Sequence, residues 1–138
     1  MTIARVIAGL RTALVGRPIA LRADVIARYP ELAEARWRAG GLPLRVGGWC
    51  LGQATVAGIT LWRTIYLADP ERASPALLLH ELAHVRQFAQ ARTFPLRYCW
   101  ESLRHGYARN RFEAEADAFA RASTLTAGAS RSTAARPD

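Results

Sequence analysis

Three residues in one short segment have side chains that could bind a metal ion and activate water. The segment HELAH, residues 80–84, places His80 and His84 four positions apart, with Glu81 next to the first histidine. Residues four apart lie on one face of an α-helix, so both imidazoles would point to one place, where they suit a tetrahedral zinc ion. Glu81 would accept a proton from a water that attacks a carbonyl group. The segment therefore predicts a hydrolytic zinc site.

A catalytic zinc ion usually has three protein ligands, so the HELAH segment needs a partner. The candidates are His105, which is the remaining histidine, Glu101 one helical turn before it, and Glu113. If Glu113 binds the metal, Asp117, four residues later, can accept the outer N–H of a ligating histidine. Asn110 and Glu113 also have the spacing of a helix-capping box. Spacing alone favours Glu113 and leaves His105 open.

The first half of the chain predicts helices followed by a small sheet. Residues 2–16 form an amphipathic helix whose apolar stripe we expect to pack on the core. A second helical segment covers 21–39, with a break near Pro30. Residues 44–68 are rich in β-branched and aromatic side chains, which predicts the sheet. Its strongest strand is ITLWRTIYLA.

The second half predicts three helices. Ser74 and Pro75 form a good helix start, with Ser as N-cap and Pro in the first turn, and this helix should run through HELAH to about Ala91. A second helix covers 95–105. Asn110 could cap a third helix to about Arg121, and residues 123–138 have no apolar period and predict a disordered tail. The order of elements indicates one α+β domain over residues 1–122.

Composition limits the choice of protein class. The chain has 138 residues, 51% of them hydrophobic, which is typical of a folded globule. All 19 Lys and Arg residues are arginine and the net charge is +8, but the arginines are scattered, so no specific nucleic-acid partner is expected. Neither a membrane span nor a clean signal peptide is visible. A cytoplasmic protein is the default expectation, and the oligomeric state stays open.

Three segments resemble a known group of enzymes. HELAH followed by the glutamate-containing RNRFEAEADA looks like the gluzincins, the thermolysin-type clan of zinc peptidases. FEAEADAFA is also similar to a segment of prenyl-protein endopeptidases. Together with ITLWRTIYLA, these segments resemble small bacterial zincin domains, and the resemblance covers residues 55–120. The resemblance implies a minimal zincin-like fold in which Glu113 is the third zinc ligand and Asp117 supports a histidine. It further implies a peptide or protein substrate.

The resemblance also implies how a substrate would bind. Zincins bind a peptide as an additional strand on the sheet edge above the active-site helix, which here suggests the strand face with Thr60, Trp62 and Thr64. Thermolysin-like enzymes stabilise the oxyanion with a histidine or tyrosine from a domain that this chain lacks. Tyr107 and His105 are candidates for that role, and the residues do not decide between them.

Two other functions compete with a zinc metallopeptidase. A DNA-associated protease of the SprT-like kind would use His105 as its third ligand, and the positive charge favours it slightly. A zincin-shaped binding or latent module with little turnover is the second alternative, because no oxyanion group is evident. Replacing Glu81 by Gln would separate the latter from an enzyme, since hydrolysis would stop while zinc stayed bound.

Overall fold

The computed structural model describes residues 3–50 and 56–134 and confirms the α+β class. Its helices are α1 (Ile3–Val15), α2 (Ala23–Arg28), α3 (Leu42–Cys50), α4 (Pro75–Gln90), α5 (Phe94–His105) and α6 (Arg111–Ala134). Short 3-10 turns cover Pro30–Glu34, Pro70–Arg72 and Tyr107–Arg109. The strands are β1 (Arg17–Pro18), β2 (Arg36–Ala39), β3 (Gly58–Leu61) and β4 (Thr64–Leu67).

The four strands form one mixed sheet in the order β1-β2-β4-β3. The β1–β2 and β3–β4 pairs are antiparallel, whereas β2 and β4 run parallel. A parallel pair needs a crossover connection, and here the chain between β2 and β4 contains α3 and β3. Within the described part of the chain, β3 therefore lies at one edge of the sheet and β4 in its interior.

The helix predicted over 21–39 is wrong in its second half. Helix α2 ends at Arg28, Pro30 begins a 3-10 turn, and residues 36–39 form β2. The residues of β2 are compatible with a helix, but pairing with β4 and burial of Trp37 determine the outcome. The indole N–H of Trp37 donates to the carbonyl of Leu32 at 2.9 Å, which ties β2 to the preceding turn.

The sheet predicted over 44–68 is also corrected. Its first part belongs to helix α3, residues 51–55 lie outside the described part, and ITLWRTIYLA forms a hairpin instead of a single strand. The turn is at Trp62, whose φ of 52° places it in the left-handed region that non-glycine residues seldom adopt. Thr60 is thereby brought opposite Ile65 on β4, and side chains at opposed positions share a face of the sheet.

The core lies between the sheet and helix α4, and α6 packs against α4 and contributes Ala120 to the same cluster. Leucines of α4 supply much of the buried cluster together with residues of the sheet, the 3-10 turn and α6. Its members include Leu32, Trp37, Ile65, Leu67, Leu78, Leu79, Leu82, Val85 and Ala120. The HELAH segment is therefore held between two packed layers.

The two ends of the described chain differ from expectation. Helix α1 forms as predicted, but its stripe is not in the core: Ile3, Val6, Ile7, Leu10 and Leu14 are between 48% and 77% exposed. The expected disordered tail at 123–138 is instead helical as far as Ala134, because α6 continues and Ala127 packs against the core; residues 135–138 lie outside the described part. None of the described helices combines the length and apolarity that crossing a membrane requires.

Candidate metal centre

Ser74 and Pro75 define the start of helix α4, and this start determines where the HELAH segment lies. Ser74 is the N-cap, as predicted: its Oγ accepts a hydrogen bond from the N–H of Leu77 at 3.2 Å, and Pro75 occupies the first turn. That proline costs no helical hydrogen bond because the first N–H groups of a helix have no internal partner. HELAH then lies in the buried middle of the helix.

Three side chains converge at this point. Nε2 of His80 and Nε2 of His84 are 3.2 Å apart. The Glu113 carboxylate joins them from α6: Oε2 is 3.2 Å from Nε2 of His80, and Oε1 is 3.3 Å from Nε2 of His84. Among the described residues, these three form the group of His, Cys, Asp and Glu side chains close enough to hold one metal ion. Glu113 therefore occupies the third position, and His105 is not in the group.

Each histidine is oriented by a hydrogen bond on its other ring nitrogen. Nδ1 of His80 is 2.8 Å from Oδ1 of Asp117, the carboxylate that we predicted for this role. Nδ1 of His84 is 2.8 Å from Oε1 of Gln87, whose Nε2 donates to the carbonyl of Phe112. Both acceptors place the proton on Nδ1 and leave Nε2 free as a ligand. Gln87 was missed, although its position three residues after His84 on one helix was a usable signal.

The start of helix α6 places Glu113 near the two histidines. The side chain of Asn110 is buried; its Oδ1 accepts from the N–H of Phe112 at 2.9 Å, and its Nδ2 donates to Ser102 on α5. The Glu113 carboxylate accepts hydrogen bonds from two phenols, Tyr98 on Oε1 and Tyr107 on Oε2. Glu113 is therefore bound to the group around the histidines and does not simply close a capping box.

Glu81 is buried beside the three converging groups. Its Oε2 accepts a hydrogen bond from the hydroxyl of Thr60 at 2.7 Å. The other oxygen lies against β3 at Gly58, where an added Cβ would come within 2.8 Å of Oε1. Such a separation is shorter than real contacts allow, so glycine is needed for this close approach. The carboxylate is thus held between α4 and the edge strand.

Burial and neighbouring charges shift the pKa values of the ionisable side chains in and around the converging group. Burial lowers the pKa of His80, but hydrogen bonding to Glu113 and the charge of Glu81 outweigh this and raise it to about 9. The pKa of Glu113 moves the opposite way: burial raises it, yet the two histidines hold it well below its ordinary value. For Glu81, burial is dominant and raises the pKa. Burial and the neighbouring Glu113 raise the pKa of Tyr98 and Tyr107, which therefore remain proton donors.

A cleft of about 530 Å³ opens beside this group. His80 and Glu81 line its floor, Tyr107 and Asp117 lie on the α6 side, and Gly58 lies on the sheet side. A second feature of the cleft is its small side chains, contributed by Ala57, Ala76 and Ala120. A buried carboxylate and a histidine of the converging group are therefore accessible to a molecule that enters from outside.

The three residues predicted to share one substrate-binding strand face do not lie on a single strand. Thr60 is on the edge strand β3, but its side chain points to Glu81. Trp62 is in the hairpin turn, 68% exposed and in ring contact with Phe88. Thr64 is on β4, which has a neighbouring strand on each side. Of the candidate oxyanion donors, Tyr107 lines the cleft, whereas His105 is exposed at the end of α5 and is not among the cleft's lining residues in the described part of the chain.

Comparison with known protein families, with curated proteins and with solved structures gave no match to this chain. The chemistry of the site must therefore be inferred from its own residues. These are two imidazoles with their outer nitrogens occupied, one carboxylate that meets both, and a second, buried carboxylate facing a cleft.

Proposed function

We propose that this protein is a zinc metallopeptidase of the gluzincin type. The observation that carries the proposal is the buried Glu81 carboxylate beside the meeting point of His80, His84 and Glu113, at the floor of an open cleft. A purely structural triad would not need a second, buried carboxylate that lines a cleft in this way. Buried ionisable groups with strongly perturbed ionisation in a cleft are typical of catalytic sites.

The donor set and its spacing fit zinc. Two imidazole nitrogens and one carboxylate are ligands found in catalytic zinc sites, with bonds of about 2.0–2.2 Å in a tetrahedron. Two nitrogens on such a tetrahedron are about 3.3 Å apart, and Nε2 of His80 and Nε2 of His84 are 3.2 Å apart. One ligand atom from each of His80, His84 and Glu113 lies within 4.8 Å of the others. When bound, zinc would acidify a water molecule and polarise the substrate carbonyl.

Glu81 would carry the protons of the reaction. Its carboxylate takes a proton from the attacking water and returns it to the nitrogen of the cleaved bond. Thr60 donates to Oε2 and so leaves Oε1 for the proton. The raised pKa of the buried Glu81 suits both steps, because it makes the carboxylate a better base at neutral pH.

The remaining roles fall to residues at the sides of the cleft. Tyr107 is the oxyanion donor that we favour, since its hydroxyl is within 3.1 Å of Glu113 and the ring lines the cleft. The edge strand β3 is the surface on which an extended peptide would pair. In the β3–β4 register, Gly58 and Thr60 lie at alternate positions on the face towards Glu81, and β-augmentation of this kind uses main-chain hydrogen bonds.

Metal analysis and one substitution test this function. Purified protein should hold about one zinc per chain, and Glu81→Gln should keep that zinc and abolish peptide hydrolysis. Equal cleavage by both proteins would disprove the role of Glu81; zinc binding with no cleavage by either would indicate a binding module instead.

The ligand assignment has its own test. Glu113→Ala should reduce zinc affinity by orders of magnitude, whereas Glu71→Ala, at an exposed glutamate in the 3-10 turn before α4, should leave it unchanged. Glu115 is unsuitable as a control because its carboxylate accepts a hydrogen bond from Gln87. Loss of zinc in His105→Ala but not in Glu113→Ala would support the SprT-like alternative.

A further inference from the structure

One face of α6 continues past the metal centre along the cleft. Glu113, Asp117 and Arg121 follow one another at intervals of four residues, so they lie on one face of the helix. Asp117 and Arg121 both line the cleft, together with Thr124 one turn further on. The carboxylates of Glu113 and Asp117 both contact the imidazole of His80. Arg121 makes no such contact among the described residues, and it lines the same cleft.

Among the described residues, no carboxylate lies within ion-pair distance of Arg121. The arginine ion pairs in this part of the chain are those of Arg22, Arg72 and Arg86. The acidic groups that line the same cleft are already engaged, since Asp117 accepts from His80 and Glu81 accepts from Thr60. Arg121 is exposed, and the hydroxyl of Thr124 is bonded to backbone carbonyls of its own helix. A cationic group thus faces a cleft whose other walls are mostly small and apolar.

Helix geometry sets how far this cation is from the reacting bond. Eight residues separate Glu113 from Arg121, which corresponds to a rise of about 12 Å along the helix. An extended peptide advances about 3.3 Å per residue. A peptide that runs along α6 would therefore bring a group two to four residues from the cleaved bond within reach of Arg121.

We propose that Arg121 is a specificity-determining residue that binds a carboxylate of the peptide substrate, two to four residues from the cleaved bond. This inference rests on the proposed peptidase function. Arginine suits the role because its planar guanidinium donates two parallel hydrogen bonds to a carboxylate. The carboxylate can belong to an aspartate or glutamate side chain or to the free C-terminus of a short peptide.

The test uses quenched fluorescent octapeptides of alanine and leucine. One aspartate is moved along the peptide, each peptide has an asparagine counterpart, and a set without aspartate carries either a C-terminal carboxylate or an amide. Zinc-loaded wild type should show kcat/KM about 10- to 100-fold higher for aspartate than for asparagine at one position two to four residues from the cut. A preference for the carboxylate over the amide would instead identify the C-terminus as the ligand.

Two substitutions assign this preference to one side chain. In Arg121→Gln the ratio between aspartate and asparagine peptides should fall to about one, and in Arg121→Glu a lysine at that position should become preferred. Arg104→Ala removes the same charge from an exposed site on α5 outside the cleft lining, and it should keep the wild-type ratio. A wild-type ratio in Arg121→Gln, or equal loss of the ratio in Arg104→Ala, would overturn the proposal.

A binding measurement separates this proposal from the peptidase function itself. If wild type cleaves none of the peptides, the proposed function fails, but dissociation constants of the same peptides for zinc-loaded Glu81→Gln still report on Arg121. If an acidic peptide binds Glu81→Gln more tightly than its asparagine counterpart does, loss of that difference in the double variant Glu81→Gln, Arg121→Gln would support the arginine site independently of hydrolysis. Equal or undetectable binding of all peptides would refute it.

Discussion

The hydroxyl of Thr60 donates a hydrogen bond of 2.7 Å to Oε2 of Glu81, and so links the edge strand of the sheet to the carboxylate next to the histidines. Both groups are buried. A buried carboxylate without a donor is costly, so this bond holds Glu81 in one orientation. The strand that would bind the substrate therefore also positions the base.

Replacing Thr60 by valine should separate positioning from metal binding. Thr60→Val keeps the shape of the side chain and removes the donor, so we expect unchanged zinc content and a kcat reduced by about tenfold or more. The hydrogen bond from Thr60 lowers the pKa of Glu81. Its loss raises that pKa, and the acid limb of the kcat/KM profile should move to higher pH.

Thr60→Ser is the matched control because it restores the donor. It should recover most of the activity and the original pH profile. If Thr60→Val and Thr60→Ser behave alike, Thr60 acts through packing and not through the hydrogen bond.

Gln87 should contribute to metal affinity through His84. Its Oε1 fixes the Nδ1 proton of that imidazole, and loss of such an outer partner typically reduces metal affinity by about 10- to 100-fold. We therefore expect Gln87→Ala to weaken zinc binding by that factor in a competition titration with a chromogenic chelator. Gln90→Ala, at an exposed position of the same helix, should bind zinc like wild type; equal affinities in both variants would contradict the role of Gln87.

The sequence predicted which side chains could hold a metal ion because part of this information is local spacing. His80 and His84 are four residues apart on a helix whose start is encoded by Ser74 and Pro75, so their convergence follows from helix geometry alone. Glu113, the third member of the group, was favoured by the four-residue spacing to Asp117 on α6 and by family resemblance. Its approach to the two histidines depends on how α6 packs on α4.

The errors arose where pairing between distant segments determines the structure. Residues 36–39 are compatible with a helix, yet they pair with β4 and bury Trp37. The hairpin reverses at Trp62, a residue that does not indicate a turn in the sequence, and this moves Thr60 from a predicted substrate position to the side of Glu81. Contacts of this kind have no local signal, so the hydrogen bond from Thr60 to Glu81 emerges only from the fold.

Zinc binding should depend on pH with a definite sign. Zinc requires neutral imidazoles, but in the metal-free protein the pKa of His80 is about 9. At neutral pH, binding must therefore displace a proton from this group. Affinity should rise with pH by up to about tenfold per unit for that proton and level off only above about pH 9.

Chelator competition between pH 6 and 9.5, corrected for protonation of the chelator, measures this dependence. Calorimetry in buffers of different ionisation enthalpy should also detect proton release at pH 7. An affinity that already levels off near pH 6.5, the value for an ordinary histidine, would show that Glu113 and Glu81 do not stabilise the charged form of His80 in the metal-free protein.

Tyr98 and Tyr107 both donate to Glu113, but they should have different functions. Tyr98 packs among Phe94 and Phe112 and bonds Oε1, whereas Tyr107 bonds Oε2 and lines the cleft. Tyr107→Phe should therefore lower kcat by about 100-fold even at saturating zinc, with little change in KM, the pattern for loss of an oxyanion donor.

Tyr98→Phe is the matched comparison because it removes the same chemical group from the other oxygen of Glu113. We expect it to weaken zinc binding, since the ligand loses a hydrogen bond that holds it, and to restore near-normal kcat once zinc is saturating. Steady-state kinetics at several zinc concentrations distinguish the two. If excess zinc rescues both variants equally, Tyr107 only holds Glu113 in place, and the oxyanion donor must be sought elsewhere in the cleft.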